Sequence, residues 1–404
     1  MQNLQVLGGI SAAEFFADYW QKKPLLVKNA MPQVQGLLVP DEIVELAQED
    51  GVTARLLTQQ GAQNEQWRVK NSPLTGKDFK KLPPLWTLLV QALDHFSPEI
   101  AQLWQHFDFI PQWRRDDIMV SYAPKGGSVG RHYDQYDVFL VQAYGKRRWQ
   151  LGQYCTPETE LLPNQPLRLL ADMDVHFDEI LEPGDLLYVP PTLSHYGVAE
   201  DNCLTLSFGF RMPDKTQLLD DFTDHLLSKP DTQIPVPDLA SRGIQSAGEV
   251  STTDLTMLKQ QVIELLQNTS YFDEAALSLL TESKYPDSLP ENEPLSTQEL
   301  QALLQEGAMI QREPATRLLY RYTDDAQLQF WAQGEPLDVP THLTPVLKRL
   351  ADGEVLSLHT LMAQDSGLAL GLDPNLNTAE NLEQLLAMFC HLYEDAIVLI
   401  QVPE

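Results

Sequence analysis

The chain has 404 residues, 43% hydrophobic and 21% charged, as in a soluble globular protein of more than one domain. No apolar run nears the roughly 18 residues of a membrane helix, and Met1-Gln2-Asn3-Leu4 lacks the start of a secretory signal, so no membrane segment and a cytoplasmic location are expected. The net charge is −29, of which residues 1–215 carry −8 (19 basic, 27 acidic) and residues 216–404 carry −21 (9 basic, 30 acidic); this field repels a phosphate backbone, argues against direct nucleic-acid binding and favours a basic protein partner, although solubility alone also accounts for it.

Ser11-Ala12-Ala13-Glu14 has capping-box spacing ahead of Phe15, Phe16, Tyr19 and Trp20, which predicts a short helix with aromatics turned inward. Pro24 stops it, and Leu25-Leu26-Val27 reads as a buried strand. Helical and loop segments are expected from there to about residue 115. Between Ile118 and Phe210, short β-type runs (IMVSY, DVFLVQAY, RWQLG, DLLYVP, CLTLSFGF) alternate with Gly and Pro turns, the signature of an antiparallel barrel or jelly roll. A catalytic domain is therefore drawn over 1–215. Residues 216–284 read as helical, through LLDDFTDHLL and DLTMLKQQVIELLQ, with a Pro, Asp and Ser-rich connection at 228–243 between them. Residues 285–296 have linker composition. Residues 297–404 mix helices with short strands, a small α+β domain compatible with a winged helix. Cys155, Cys203 and Cys390 are scattered and odd in number, which argues against a disulfide framework or a structural zinc site.

The chemistry concentrates in Val129-Gly130-Arg131-His132-Tyr133-Asp134-Gln135-Tyr136-Asp137. On a strand, His132 and Asp134 share one face, with Tyr133 on the other. Sixty-one residues beyond Asp134, after a Pro183-Gly184-Asp185 turn and a strand, comes His195. Two histidines and one carboxylate leave one face of an octahedral metal open, as in non-haem iron(II) oxygenases. His-x-Asp alone is weak evidence; the Gly-rich lead-in, the β context and the distal PGD…H motif give it weight. The other seven histidines lack this context.

Arg147 alternates with Trp149 and Leu151, so it should face the barrel interior. A buried guanidinium needs an anion. A dicarboxylate cosubstrate such as 2-oxoglutarate supplies one; an internal pair with Asp137 or Asp185 is the alternative. Ser121, on the strand leading into the motif, is a hydroxyl partner for the same carboxylate.

Three stretches together, FFADYWQKKPLLVKNA, DDIMVSYAPKGGSVGRHYDQYDVFLVQAYGKRRW and EPGDLLYVPPTLSHYGVA, resemble the JmjC-type ribosomal oxygenases, and within them the bacterial ribosomal-protein arginine hydroxylases. The resemblance spans the chain and is specific over residues 118–210. It implies a JmjC/cupin-type double-stranded β-helix, a helical dimerisation region at 216–284 that makes a homodimer, and a winged-helix domain. It also implies iron(II) on His132, Asp134 and His195, 2-oxoglutarate on Arg147 and Ser121, and molecular oxygen as oxidant. The reaction implied is hydroxylation at the β-carbon of an arginine in the sixteenth protein of the large ribosomal subunit, a basic protein. For the target guanidinium the resemblance suggests Asp117, Tyr136 and Ser207; a carboxylate at the barrel mouth can grip a guanidinium bidentately, and Asp116 competes for that role. Arg131 and Tyr133 depart from the family pattern, with Tyr133 expected to face away from the metal. A hydroxylase or demethylase for another residue, a metal-binding cupin without oxygenase activity, and a non-enzymatic interaction module are the competing readings.

Overall fold

The capping box closes as its spacing predicts. Ser11 Oγ accepts from Glu14 N–H at 3.2 Å and Glu14 accepts from Ser11 N–H at 2.8 Å, which starts helix α1 (Ala12–Asp18). Phe15, fully buried, packs edge-on to Tyr188 with ring centroids 5.1 Å apart. The computed structural model describes residues 4–60, 66–238, 248–267, 269–362 and 378–403. They fall into two units: Met1–Met212 with Tyr285–Pro290, and Pro213–Lys284 with Glu291–Glu404.

The first unit continues with β1 (Leu25–Val27), α2 (Pro40–Leu46), β2 (Ala54–Gln60), β3 (Gln66–Asn71), β4 (Trp86–Val90), α3 (Leu93–Phe96) and α4 (Pro98–Ala101). Then come β5 (Arg115–Ala123), β6 (Asp137–Tyr144), β7 (Arg147–Tyr154), β8 (Phe177–Leu181), β9 (Leu186–Val189), β10 (Leu193–Ala199) and β11 (Cys203–Phe210). An eight-stranded antiparallel sheet runs in the order β1-β9-β6-β11-β5-β4-β2-β3, and a three-stranded sheet runs β10-β7-β8. This is the expected jelly roll. The expectation of helices and loops up to residue 115 was too narrow, because β2, β3 and β4 extend the large sheet through that stretch. Their glutamines and arginines (ARLLTQQ, QWRVKN) dilute the apolar alternation that marks a strand.

The large sheet separates two environments. Ile118 and Val120 of β5, Phe139 and Val141 of β6, and Leu204 and Leu206 of β11 point into the main apolar core with the N-terminal helices. The alternate residues Met119, Ser121, Val138, Leu140 and Ser207 line a cavity on the other face. Strand parity thus assigns one face to stability and the other to chemistry.

In the second unit, α5 (Lys215–Leu227), α6 (Thr252–Gln267) and α7 (Thr269–Thr281) realise the helical reading of 216–284. Phe222 of α5 meets Phe272 of α7 with centroids 5.9 Å apart. The end of the connection read at 228–243, residues 239–243, lies outside the described residues. Beyond 290 come α8 (Thr297–Gln305), β12 (Met309–Arg312), β13 (Leu318–Tyr322), β14 (Leu328–Ala332), β15 (Glu335–Leu337), α9 (Thr344–Ala351), β16 (Leu356–Ser357), α10 (Leu358–Met362), α11 (Thr378–Glu394) and β17 (Val398–Gln401). They enclose a separate core around Leu300, Leu347, Leu350 and Phe389. No helix among the described residues is long and apolar enough to cross a membrane.

Candidate metal centre and cosubstrate pocket

His132, Asp134 and His195 converge, each offering a ligand atom within 4.8 Å of the others. Among the described residues this is the one group of three or more His, Cys, Asp or Glu side chains so placed. Asp134 Oδ2 lies 4.0 Å from His132 Nε2 and 3.5 Å from His195 Nε2.

The route to this convergence differs from the one the sequence suggests. His132 and Asp134 are not on a regular strand; they lie in the irregular segment between β5 and β6. Tyr133 does not face away but lines the same cavity. What holds the segment is an isolated bridge: His132 N–H donates to His195 O at 3.1 Å and His195 N–H donates to His132 O at 2.8 Å. Thr192 N–H donates to Asp134 O at 2.7 Å. Thr192 is held at φ 65°, a conformation that costs a β-branched residue free energy, so the loop before β10 carries strain to make this contact. Gly130 turns the chain ahead of His132 at φ +88°, where a Cβ would come within 2.6 Å of Leu169 Cδ2.

Both imidazoles are oriented in the same way. His132 Nδ1 lies 2.9 Å from Gly130 O, and His195 Nδ1 lies 3.0 Å from Leu193 O. A carbonyl only accepts, so Nδ1 carries the proton in each ring and Nε2 presents its lone pair toward Asp134. Burial, with His132 alongside, pushes His195 well below the usual imidazole range, which keeps its Nε2 lone pair available. Two imidazoles presenting Nε2 and a carboxylate fit a divalent metal ion of the iron(II) type.

The cavity measures about 300 Å³, large enough for a small cosubstrate beside the metal set. Arg147 enters it from β7, only 3% exposed, with Trp149 and Leu151 on the same buried face as the alternation predicts. Arg147 Nη1 donates to Ser121 Oγ at 2.8 Å and Nε to Cys203 Sγ at 3.4 Å, while Nη2 is buried without a partner. The two acids proposed as internal partners are engaged elsewhere. Asp137 takes Arg114 at 3.2 Å and Tyr188 Oη at 2.6 Å; Asp185 takes Lys28 at 3.0 Å and Asn29 N–H at 2.8 Å. No carboxylate among the described residues lies within ion-pair distance of Arg147. The unmatched donor and the missing anion make the pocket fit a carboxylate ligand.

Tyr136 and Ser207 line the cavity; Asp117 does not. Asp117 lies on β5 where the pairing with β11 is irregular, since Ile118 faces Phe208 while Arg115 faces Phe210. It is buried, and its Oδ2 accepts from Ala92 N–H at 2.8 Å. Asp116, the competing acid, pairs with Arg211, whose guanidinium stacks 4.5 Å from the Tyr136 ring centre. The sequence left Arg55 and Arg168 unmentioned, though both line the cavity. Arg55 is seated by strand β2, which the sequence did not reveal; alternation within that strand would have placed it on the face of Leu57. Trp149 Nε1, also buried without a partner, is a further donor on this wall.

Models of known families match two parts of the chain: a JmjC domain over residues 102–218 and a ROXA-like winged helix over residues 264–376. A probable ribosomal oxygenase of Haemophilus influenzae is 42% identical over 96% of this chain and 95% of its own length. The ribosomal protein uL16 3-hydroxylase of Escherichia coli is 33% identical over 85% of this chain and 89% of its own. The solved structure of YcfD, a ribosomal oxygenase from Escherichia coli in complex with cobalt and 2-oxoglutarate, superposes with a TM-score of 0.80 at 29% identity, covering 97% of this chain and 98% of that one. The architecture described above therefore recurs over nearly the whole chain in that solved structure.

Proposed function

This chain belongs to the JmjC-type ribosomal oxygenases, and we propose that it hydroxylates the β-carbon of an arginine in ribosomal protein uL16. The reading is carried by the unpaired Nη2 of buried Arg147 on the wall of the same cavity as the His132, Asp134 and His195 set. His132, Asp134 and His195 would hold iron(II), which when bound couples oxidation of 2-oxoglutarate by molecular oxygen to hydroxylation of the substrate.

The protein's own contribution is positioning. Arg147, steadied by Ser121, holds the far carboxylate of 2-oxoglutarate, so that its keto-acid end is turned toward the metal set. The apolar lining from Leu57, Val138 and Leu140 keeps bulk water from the cavity floor. Tyr136 and Ser207 flank the incoming side chain, and the carboxylate of Asp117 receives its guanidinium. The charge of −29 draws in a basic ribosomal protein. The enzyme acts in the cytoplasm as a homodimer through the helical region, where Leu255, Leu258 and Val262 of α6 form an exposed apolar stripe. Residues 1–215 form the catalytic domain, 216–284 the dimerisation region, and 297–404 the winged-helix-like domain.

Incubation of the iron(II)-loaded enzyme with uL16, 2-oxoglutarate and oxygen tests this. One oxygen atom gained on a single arginine of uL16, with succinate formed in step, is expected. A gain on histidine, demethylation, or no modification overturns it.

A further inference from the structure

We propose that Tyr285 is a positioning residue for the target side chain, its phenol fixing the carboxylate of Asp117. This rests on Asp117 receiving the substrate guanidinium, as proposed above.

Tyr285 begins the stretch whose composition reads as a linker, yet Tyr285–Pro290 belongs to the first unit. The short turn Pro286–Ser288 seats it closely. Ser288 Oγ donates to Tyr285 O at 2.8 Å and lies 2.8 Å from His95 Nδ1. The carbonyl oxygen of Asp287 comes so near Gly51 that a Cβ there would meet it at 2.9 Å. The Tyr285 ring stands edge-on to His95, centroids 5.8 Å apart. A tethered segment with this many contacts has a defined pose, and that pose delivers one hydroxyl to Asp117.

The Tyr285 hydroxyl lies 3.2 Å from Asp117 Oδ2 and 3.3 Å from Gln91 Oε1. A phenol has one proton to give, and the carboxylate is the stronger acceptor. Gln91 Nε2 is buried without a partner. With its amide turned over, that nitrogen donates to the phenol oxygen, giving a relay from Gln91 through Tyr285 to Asp117. Burial and the nearby charge of Asp117 push the Tyr285 phenol up, so it stays a donor. The same Oδ2 takes the N–H of Ala92, itself held at φ 51°, a strained conformation for alanine. One carboxylate oxygen is thus fixed from two sides. Fixing it sets the plane of the carboxylate, and a guanidinium reads that plane.

Tyr285→Phe removes the hydroxyl and keeps the ring. The measurements are KM for uL16, KM for 2-oxoglutarate and Tm, for Tyr285→Phe, Asp117→Asn and the double variant. The expected result is a rise of roughly 3- to 10-fold in KM for uL16 with Tyr285→Phe, no change in KM for 2-oxoglutarate, and no further loss when Tyr285→Phe is added to Asp117→Asn. If Asp117→Asn raises KM for uL16 and Tyr285→Phe does not, the role of Tyr285 is overturned while that of Asp117 stands. Equal changes in both KM values with a lowered Tm reduce Tyr285 to a structural part and overturn it as well. If Asp117→Asn leaves KM for uL16 unchanged, the underlying reading of Asp117 fails, and the inference with it.

Discussion

His132 and His195 are joined through their backbones as well as their side chains: each N–H donates to the other's carbonyl, at 3.1 and 2.8 Å, and their rings stand 4.2 Å apart. The geometry of the metal site therefore depends on main-chain pairing between the 124–136 segment and β10, and on the turn that precedes it.

Gly130→Ala tests that dependence. A Cβ at φ +88° is strained in itself, and at 2.6 Å from Leu169 Cδ2 it requires the buried Leu169 side chain or the turn to shift. The expected cost is about 1–3 kcal/mol of unfolding free energy, together with weaker iron(II) binding, although Gly130 supplies no ligand. Denaturant unfolding and metal titration check both; unchanged iron affinity would show that the turn does not set the site.

Arg147→Met should separate stability from function. It removes a buried cation with no anion beside it, so the ligand-free protein should become more stable, by about 1–4 kcal/mol. KM for 2-oxoglutarate should rise at least about tenfold, because the charge-assisted contact proposed for its carboxylate is gone. Thermal unfolding without ligand and steady-state kinetics read the two effects independently.

Asp134→Ala leaves two imidazoles facing one another without the carboxylate between them. Anaerobic addition of iron(II) and 2-oxoglutarate should give a weak visible charge-transfer band in the parent protein. The band should be absent in Asp134→Ala and diminished in Arg147→Ala. A band in Asp134→Ala would remove Asp134 from the ligand set.

Leu258→Asp places a charge in the middle of the exposed Leu255, Leu258 and Val262 stripe. Sedimentation should show a parent species of twice the chain mass and a variant at the chain mass, with its far-ultraviolet circular dichroism retained. A parent protein that sediments as a single chain would end the dimer reading.

The sequence made the residue types of the metal set legible, and the inward face of Arg147, since both follow from local spacing. Strand alternation placed Arg147 beside Trp149 and Leu151, where it is found. The same rule failed one motif earlier, because His132 and Asp134 lie off the regular strands and are positioned by pairing with β10. That pairing joins residues 63 apart (195 − 132) and leaves no local signature. β10 itself went unread, since LSHYGVA shows little apolar alternation. Tyr285 was hidden for a different reason: Pro and Glu composition marks a segment without regular structure, and such a segment can still be packed in place.

The two-faced sheet limits how enzymes of this architecture can diverge. A single residue inserted into β5, β6 or β11 and not taken up by a bulge, as the extra residues near Arg115 and Tyr144 are, would turn Ile118, Phe139 or Leu206 toward the cavity and drive Ser121 or Ser207 into the apolar core. Length changes in the regular stretches of these strands are therefore costly. New substrate preferences must come from replacement at alternate positions such as 119, 138, 140 and 207, or from the loops at the cavity rim, where insertions leave the register intact.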